Sequence, residues 1–229
     1  MLNHEPDRPI AEIPLQTHLE ELRRRCEAIA CVQGSATDYW QEVTLFKRYT
    51  VERGLVLCFP PPELARPPDD EGNEHQVWFR PVEESYLKVT WPDCYGMLVV
   101  YRSDEEAKAS PIDYLERMHL HNELFGDSVR FLGVLEQASQ LRMVIQQPAI
   151  EGIPATLEQI NEFFSGFGWR RFLVGGEVAF FDPARQVVVS DTHRGNLILM
   201  ADGLIAPIDL RVQLLSGALL DAVRKLCDC

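Results

Sequence analysis

The spacing of hydrophobic residues along the chain changes near residue 76, from helical to strand-like. Before that point, residues 17–30 and 38–53 carry apolar positions at helical spacing, and Gly54 provides a stop for the second segment. Residues 60–70 contain five prolines and predict an extended strap rather than a helix or a strand. The pattern therefore predicts a helical extension with a proline-rich strap over residues 1–70.

Beyond residue 76, short runs of β-branched and aromatic residues predict a strand-rich region. Single strands are predicted at residues 76–80, 85–91, 96–101, 129–135 and 141–146, the last one broken by Gln147-Pro148. Two hairpins are predicted, one from residues 177–181 and 186–190, the other from 197–200 and 204–208. Strands and helices come in blocks instead of alternating, which favours an α+β fold.

Start and stop signals predict one further long helix. Ser110 can cap it, Pro111 suits its first turn, and Asp113 completes a capping box. The apolar spacing continues to Phe125, after which Gly126 provides a stop. Shorter helices are predicted at residues 156–164 and 217–226.

The charge of the chain restricts its partners. Of the 229 residues, 22 are basic and 35 acidic, which gives a formal net charge of −13 and argues against a nucleic-acid-coating surface. A phosphate ligand would need a placed cation or a metal ion. No apolar run is long enough to span a membrane, and the polar, acidic N-terminus does not resemble a secretory signal. We therefore expect a cytoplasmic protein that binds neither nucleic acid nor membrane.

Three polar residues near the second hairpin form a candidate site. Asp191 and Asn196 are five residues apart, and Asn196 and Asp209 flank the hairpin thirteen residues apart. Because a hairpin returns its end close to its start, Asn196 and Asp209 can face one point. Two oxygen ligands suit Mg²⁺, which completes its shell with phosphate oxygens and water.

Two other interpretations of these residues remain. Asp and Asn favour turns, so each of the three could stabilise an unrelated turn. The sequence Ser190-Asp191-Thr192-His193 also resembles the first metal motif of calcineurin-like phosphoesterases. However, such a two-metal site needs further ligands, and none of the 36 residues after His193 is a histidine.

The spacing of the three residues resembles the catalytic core of protein kinases. In that family the catalytic-loop Asp is followed five residues later by a metal-binding Asn, as Asp191 is by Asn196, and Asp209 falls at the position of the second metal ligand. The strand around Lys88 resembles the one that carries the phosphate-binding lysine. Glu116 matches the helix glutamate that pairs with this lysine. Glu123, seven residues later on the same helix stripe, is the alternative.

Further segments extend this resemblance upstream and downstream. Gly72 falls in the loop that would cover the phosphates, and Gln146, Gln147 and Pro148 fall at the hinge that would contact adenine. In detail the chain is most similar to the serine/threonine/tyrosine kinase-like domains of bacterial polyvalent proteins, over roughly residues 54–212. The segments that carry this similarity are residues 71–78, 121–127 and 191–209.

The chain also departs from the kinase pattern. Val189 stands where kinases usually have His, and Asp209 is followed by Leu210 and Arg211 in place of Phe-Gly. There is no G-x-G-x-x-G motif, and only 20 residues follow Asp209, too few for a peptide-binding helical platform. These departures bear on protein phosphorylation more than on ATP binding.

The resemblance implies an α+β, two-lobed, protein-kinase-like fold with a reduced C-terminal lobe. The expected units are residues 1–70 as the extension, 71–147 as the N-lobe and 148–229 as the C-lobe. It implies an ATP- and Mg²⁺- (or Mn²⁺-) dependent phosphotransferase with an unknown hydroxyl acceptor. In this interpretation Lys88 binds phosphate and is held by Glu116, Asn196 and Asp209 hold the metal, and Asp191 accepts the acceptor's proton. A non-catalytic pseudokinase that works through a protein partner, and nucleotidyl transfer from ATP, remain alternatives.

Overall fold

The computed structural model describes residues 13–101 and 107–227. Within them are five α-helices: α1 (Leu15–Gln33), α2 (Tyr39–Glu52), α3 (Pro111–Phe125), α4 (Leu157–Gly166) and α5 (Gly217–Cys227). A short 3₁₀ helix covers Pro62–Ala65. The strands are β1 (Asp70–Glu71), β2 (His75–Arg80), β3 (Ser85–Thr90), β4 (Arg130–Gln137), β5 (Gln140–Pro148), β6 (Ile153–Pro154), β7 (Arg170–Val174), β8 (Glu177–Asp182), β9 (Val187–Ser190), β10 (Leu197–Leu199), β11 (Ile205–Pro207) and β12 (Arg211–Leu214).

These strands form three antiparallel sheets in the described part of the chain. The first has the order β1-β2-β3-β5-β4, the second β11-β10-β6, and the third β12-β9-β8-β7. Helices and antiparallel sheets occur together, so the predicted mixture of helix and sheet is confirmed. None of the helices in the described residues is both long and apolar enough to cross a membrane.

One face of the five-stranded sheet is buried under α1, α2 and α3. Leu22 of α1, Phe46 of α2 and Leu115 of α3 are fully buried in one cluster with Met143 and Ile145 of β5. Burying a side chain of this size stabilises the fold by about 1.5–3 kcal/mol. The two predicted N-terminal helices are therefore part of the main core.

The opposite face of this sheet is covered by the chain between α2 and β1. Leu57 and Leu64 from this segment pack on Trp78 and Leu87. The cover approaches β4 so closely that a Cβ on Gly133 would lie 2.5 Å from the carbonyl oxygen of Leu55. Only glycine fits there, and its φ of +137° is also a conformation that favours glycine. The predicted strap is thus a structural layer of the sheet.

The local signals for α3 and α4 act as the sequence predicts. Ser110 and Asp113 form a reciprocal capping box at the start of α3, and Gly126 ends the helix in the left-handed conformation. Thr156 and Gln159 form the same box at the start of α4. Each cap satisfies backbone N–H groups that have no partner inside the helix.

The third sheet packs on α4 and α5. Phe164 of α4 stacks on Phe180 of β8 with ring centroids 4.2 Å apart, and both side chains are fully buried. On the other face, Phe181 of β8 packs with Leu220 and Val223 of α5. Both predicted hairpins are confirmed, as β8–β9 and as β10–β11.

Three predicted elements differ in the structure. Residues 96–101 form no strand, because the backbone N–H groups of Val99 and Val100 donate to the side chain of Gln213 instead of to a neighbouring strand. Strand β5 continues through Pro148, which lies at the end of its pairing with β3. Strand β7 was not predicted, since only Phe172 among its five residues is buried.

Candidate active site

Asp191 and Asp209 lie at the same end of two neighbouring strands. Strand β9 ends at Ser190, which pairs with Arg211 at the start of β12, so the residues just beyond this pair are adjacent. Both aspartates have left-handed backbones, with φ of 62° and 56°. Asp is one of the few residues that tolerate this conformation. The turn preference of Asp is therefore used at the site itself.

Asn196 is brought to these aspartates by the β10–β11 hairpin. Leu197 pairs with Pro207, and the backbone N–H of Ile208 donates to the carbonyl oxygen of Asn196 at 2.8 Å. The side-chain Nδ2 of Asn196 lies 3.1 Å from the backbone carbonyl oxygen of Asp191 and 3.4 Å from that of Asp209. Because these carbonyls hold the amide nitrogen, the amide oxygen of Asn196 is turned away from them and can act as a ligand.

Lys88 reaches the site from the five-stranded sheet. Its neighbours Leu87 and Val89 point to the strap, and side chains alternate along a strand, so Lys88 points to the opposite face. It is buried, and its Nζ lies 3.0 Å from Oδ2 of Asp209, which is 39% exposed. Partial burial would raise the pKa of Asp209, but the positive charge of Lys88, with contributions from His75 and Arg117, holds it below its usual range.

The structure does not form the expected pair between Lys88 and Glu116. Glu116 instead pairs with Arg23 of α1, and Glu123 lies 3.4 Å from His119 on its own helix. The reason is helical geometry. The buried Tyr114 faces the site, and Glu116, two residues further on, points about 200° around the helix axis from it. This is a correction to the predicted ion pair.

Arg117 and Tyr114 are the α3 residues that do face the site. Arg117 forms an ion pair with Glu74, with Nη1 3.0 Å from Oε2, and the hydroxyl of Tyr114 lies 2.8 Å from Nε2 of His75. Glu74 and His75 end the β1–β2 turn, within the segment that carries the family resemblance. The sequence pattern assigned none of these four residues a role. Their signal was the three-residue spacing of Tyr114 and Arg117 on α3, which places both on one face.

Burial of this second network changes its titration. Burial lowers the pKa of His75 to about 4, although the nearby carboxylates of Glu74 and Asp209 oppose the change. Burial also raises the pKa of Tyr114 well above its usual value. For Arg117, burial acts against the charge, but the attraction of Glu74 outweighs it and raises the pKa. At neutral pH, His75 and Tyr114 are neutral, and Arg117 is charged.

A cavity of about 650 Å³ opens over these residues. We refer to it as the phosphate cavity. Its lining includes Gly72, Glu74, Arg117, Asp191, Asn196 and Asp209. Lys88 adjoins it through its contact with Asp209. This volume lies within the range of small-molecule sites.

The three predicted hinge residues do not line this cavity. The side chain of Gln146 donates to the hydroxyl of Ser85 at 2.9 Å, and that of Gln147 donates to Asp127 at 2.7 Å. Pro148 ends β5 beside Ser85. An adenine contact there would have to use backbone atoms, and it stays a prediction.

The donor set of the site fits Mg²⁺ better than a metal that needs a full protein cage. In the described residues, no group of three or more His, Cys, Asp and Glu side chains could hold a metal ion. The carboxylate of Asp209 and the amide oxygen of Asn196 are both hard oxygen donors. Mg²⁺ is commonly bound through one or two such groups, with water and phosphate oxygens completing its octahedron.

Comparison with known proteins places this arrangement in a family. The family model described as serine/threonine/tyrosine kinase found in polyvalent proteins matches residues 63–216, which is more than half of the chain. No curated protein and no solved structure matches the chain. The matched range begins in the strap and ends after β12, so it contains the five-stranded sheet, α3 and the aspartate hairpins. The chain therefore belongs to the family of serine/threonine/tyrosine kinases found in polyvalent proteins.

Proposed function

We propose that this chain is a phosphotransferase that uses ATP with Mg²⁺ or Mn²⁺ and transfers a phosphoryl group to a hydroxyl acceptor. The observation that carries the proposal is the convergence of Lys88, Asp191, Asn196 and Asp209, four residues from separate elements, beside one cavity. Lys88 and the other three come from different sheets. Such a convergence is unexpected for residues that only stabilise turns.

Each residue has a distinct role in this proposal. Lys88 binds a phosphate of ATP, and the carboxylate of Asp209 and the amide oxygen of Asn196 hold the metal ion. The metal ion, when bound, would neutralise negative charge on the phosphates. Asp191 orients the acceptor hydroxyl and takes its proton. Its carboxylate lies between His193 and Arg211, at 3.5 and 3.8 Å.

Local charge supports the choice of a phosphate ligand. The chain as a whole has a net charge of −13, which repels anions. Yet Lys108, Arg117 and Arg211 line the phosphate cavity, and Lys88 adjoins it. A cluster of cations in an acidic protein is a specific feature, because it concentrates positive potential where a polyphosphate would bind.

The proposed organisation is that of a two-lobed kinase. Residues 71–147 would form the N-lobe with the five-stranded sheet, residues 148–229 the reduced C-lobe, and residues 1–70 the extension. ATP would lie between the lobes, with Gly72 in the turn near its phosphates. Transfer by this type of enzyme is mainly positioning and charge neutralisation, which a small scaffold can provide.

Binding and transfer can be tested separately. Saturating ATP with Mg²⁺ should raise the melting temperature, because a ligand that binds only the folded state stabilises it by mass action. Incubation with ATP labelled at the γ or the α position then distinguishes phosphoryl from nucleotidyl transfer. The proposal expects label from the γ position only. No thermal shift with saturating nucleotide and metal would refute ATP binding.

A non-catalytic module is the second candidate, and one observation favours it. Lys88 is closed onto Asp209 while Glu116 is engaged by Arg23, so no helix glutamate holds the lysine. A pseudokinase that binds nucleotide and acts through a protein partner would show the thermal shift. It would transfer label from neither position.

A further inference from the structure

A second cavity lies on the other side of Asp191 from the phosphate cavity. Its volume is about 400 Å³, and it lies between α4 and β8. Its lining includes Leu157, Ile160, Val178, Phe180, Asp191 and His193. We refer to it as the acceptor cavity. Asp191 and His193 line both cavities, so the two cavities meet at the carboxylate that the proposed function assigns to the acceptor.

We propose that the acceptor cavity binds the acceptor of phosphoryl transfer, and that this acceptor is a phenolic hydroxyl such as that of a tyrosyl group. This inference rests on the proposed function, since it needs a phosphoryl donor in the phosphate cavity. It adds an acceptor subsite and a choice of acceptor class. Neither the family match nor the kinase-like residues assign these.

The floor of the acceptor cavity carries the argument for an aromatic acceptor. Ile160 and Phe180 are only 2% and 1% exposed, and Phe180 is fixed by stacking on Phe164. Such a floor is preformed and apolar. An aromatic ring gains from leaving water there, whereas the short side chain of a serine would leave the floor uncovered.

The rim of the cavity is polar and suits the hydroxyl end and the backbone of an acceptor. Asn161, Arg171 and Glu177 surround the apolar floor, and all three are exposed. Asp191 lies where the two cavities meet. A ring seated on Ile160 and Phe180 would therefore direct its hydroxyl to the carboxylate and keep its polar remainder in water.

The transfer balances with the residues already described. The phenolic oxygen attacks the γ-phosphorus, and a new oxygen–phosphorus bond forms. The bond between the γ-phosphorus and the bridging oxygen to the β-phosphate breaks, and ADP leaves with that electron pair. The phenolic proton goes to the carboxylate of Asp191 and then to solvent.

The variant Asn161→Trp tests the cavity without changing the phosphate cavity. Asn161 is exposed on α4, where its side chain donates to the backbone carbonyl of Leu157, and it lines the acceptor cavity. An indole at this position would fill the cavity. Glu162→Trp is the matched control, because Glu162 is the next residue on the same helix, is exposed, and does not line the cavity.

Binding and transfer are both measured with small probes. N-acetyltyrosinamide and N-acetylserinamide are compared as acceptors of label from γ-labelled ATP. The non-reactive N-acetylphenylalaninamide is titrated by calorimetry as an occupant of the cavity. We expect transfer to the tyrosine probe to exceed transfer to the serine probe by about tenfold or more, because burial of a ring changes binding by at least that factor. Phenylalaninamide should bind, and Asn161→Trp, but not Glu162→Trp, should abolish its binding and the transfer.

The outcomes separate this inference from the proposed function. If ATP with Mg²⁺ gives no thermal shift in the unmodified protein, the proposed function fails and this inference fails with it. If the shift is present, three results overturn the acceptor cavity alone. These are transfer to serine equal to or above transfer to tyrosine, no binding of phenylalaninamide, and unchanged transfer in Asn161→Trp.

Discussion

Arg117 on α3 and Glu74 in the β1–β2 turn form an ion pair that is almost completely removed from water, with side chains 7% and 20% exposed. The pair connects the helix to the turn that borders the phosphate cavity. Gly96 packs against it so closely that a Cβ there would lie 2.4 Å from the Glu74 carboxylate. Helix α3 is therefore joined to the site through Arg117 and not through Glu116.

Removing one member of this pair should destabilise the protein strongly. In Arg117→Met the carboxylate of Glu74 would stay buried without its partner, and such a loss costs about 3–5 kcal/mol. The free energy of unfolding, measured by urea denaturation, tests this. Arg117→Met with Glu74→Gln should recover part of the loss, because no unpaired charge remains. Arg66→Met, which breaks the exposed Arg66–Asp69 pair, is the control and should have a much smaller effect. Equal losses in the two single variants would contradict the assigned burial.

The position of Glu116 predicts a contrast between two variants. Lys88→Met removes the cation next to the phosphate cavity, so it should abolish the thermal shift caused by ATP and Mg²⁺. Glu116→Gln breaks only a contact with Arg23 of α1 and should keep that shift. Thermal melting with and without nucleotide measures both. Loss of the shift in Glu116→Gln would mean that the nucleotide-bound protein restores the Lys88–Glu116 pair.

The two aspartates should separate by role. Asp209→Asn removes a proposed metal ligand and should weaken metal-dependent nucleotide binding and abolish transfer. Asp191→Asn removes only the carboxylate that faces the acceptor, so nucleotide binding should persist while transfer falls by about 10²–10⁴-fold. Calorimetric titration of nucleotide and transfer of γ-label give the two readouts. Equal loss of nucleotide binding in both variants would contradict the division of roles.

His75 should make the protein less stable in mild acid. Its pKa is lowered by burial from 6.5 to about 4, so between these values the unfolded state binds more protons than the folded state. Stability is then fully present above pH 6.5 and falls as the pH decreases towards 4, by about 3 kcal/mol at most. His18, whose pKa burial also lowers, adds to the fall.

The pH effect can be assigned to His75 by substitution. Urea denaturation at pH 7 and pH 5 should show a smaller difference in His75→Gln than in the unmodified protein. His193→Gln is the control, because the His193 side chain is 61% exposed and stays in contact with water after folding. A pH dependence that is unchanged in His75→Gln would show that other groups cause it.

Much of the fold could be predicted because its signals are local. The capping boxes at Ser110 and Thr156 act within three residues, and glycines such as Gly126 end helices by their own conformational freedom. The hairpins around the site follow from alternating apolar residues on each side of a short turn. The convergence of Asn196 and Asp209 needed nothing more than the β10–β11 hairpin between them.

The failures of prediction depend on distant partners. Residues 96–101 have the composition of a strand, but Gln213, more than one hundred residues away, takes their N–H groups. The choice of Glu116 relied on its order in the chain. Which face of α3 meets the site is decided by packing, and that face carries Tyr114 and Arg117.

The sequence by itself determined the ordered set of Lys88, Asp191, Asn196 and Asp209, because residue type and spacing along the chain are enough to define that set. The tertiary structure decided the partners. Lys88 lies on Asp209, Arg117 on Glu74, and Asp191 between two cavities. The physical reason is that an ion pair or a cavity depends on the distance between side chains from different elements. That distance is set by how helices and sheets pack, which local sequence patterns do not specify.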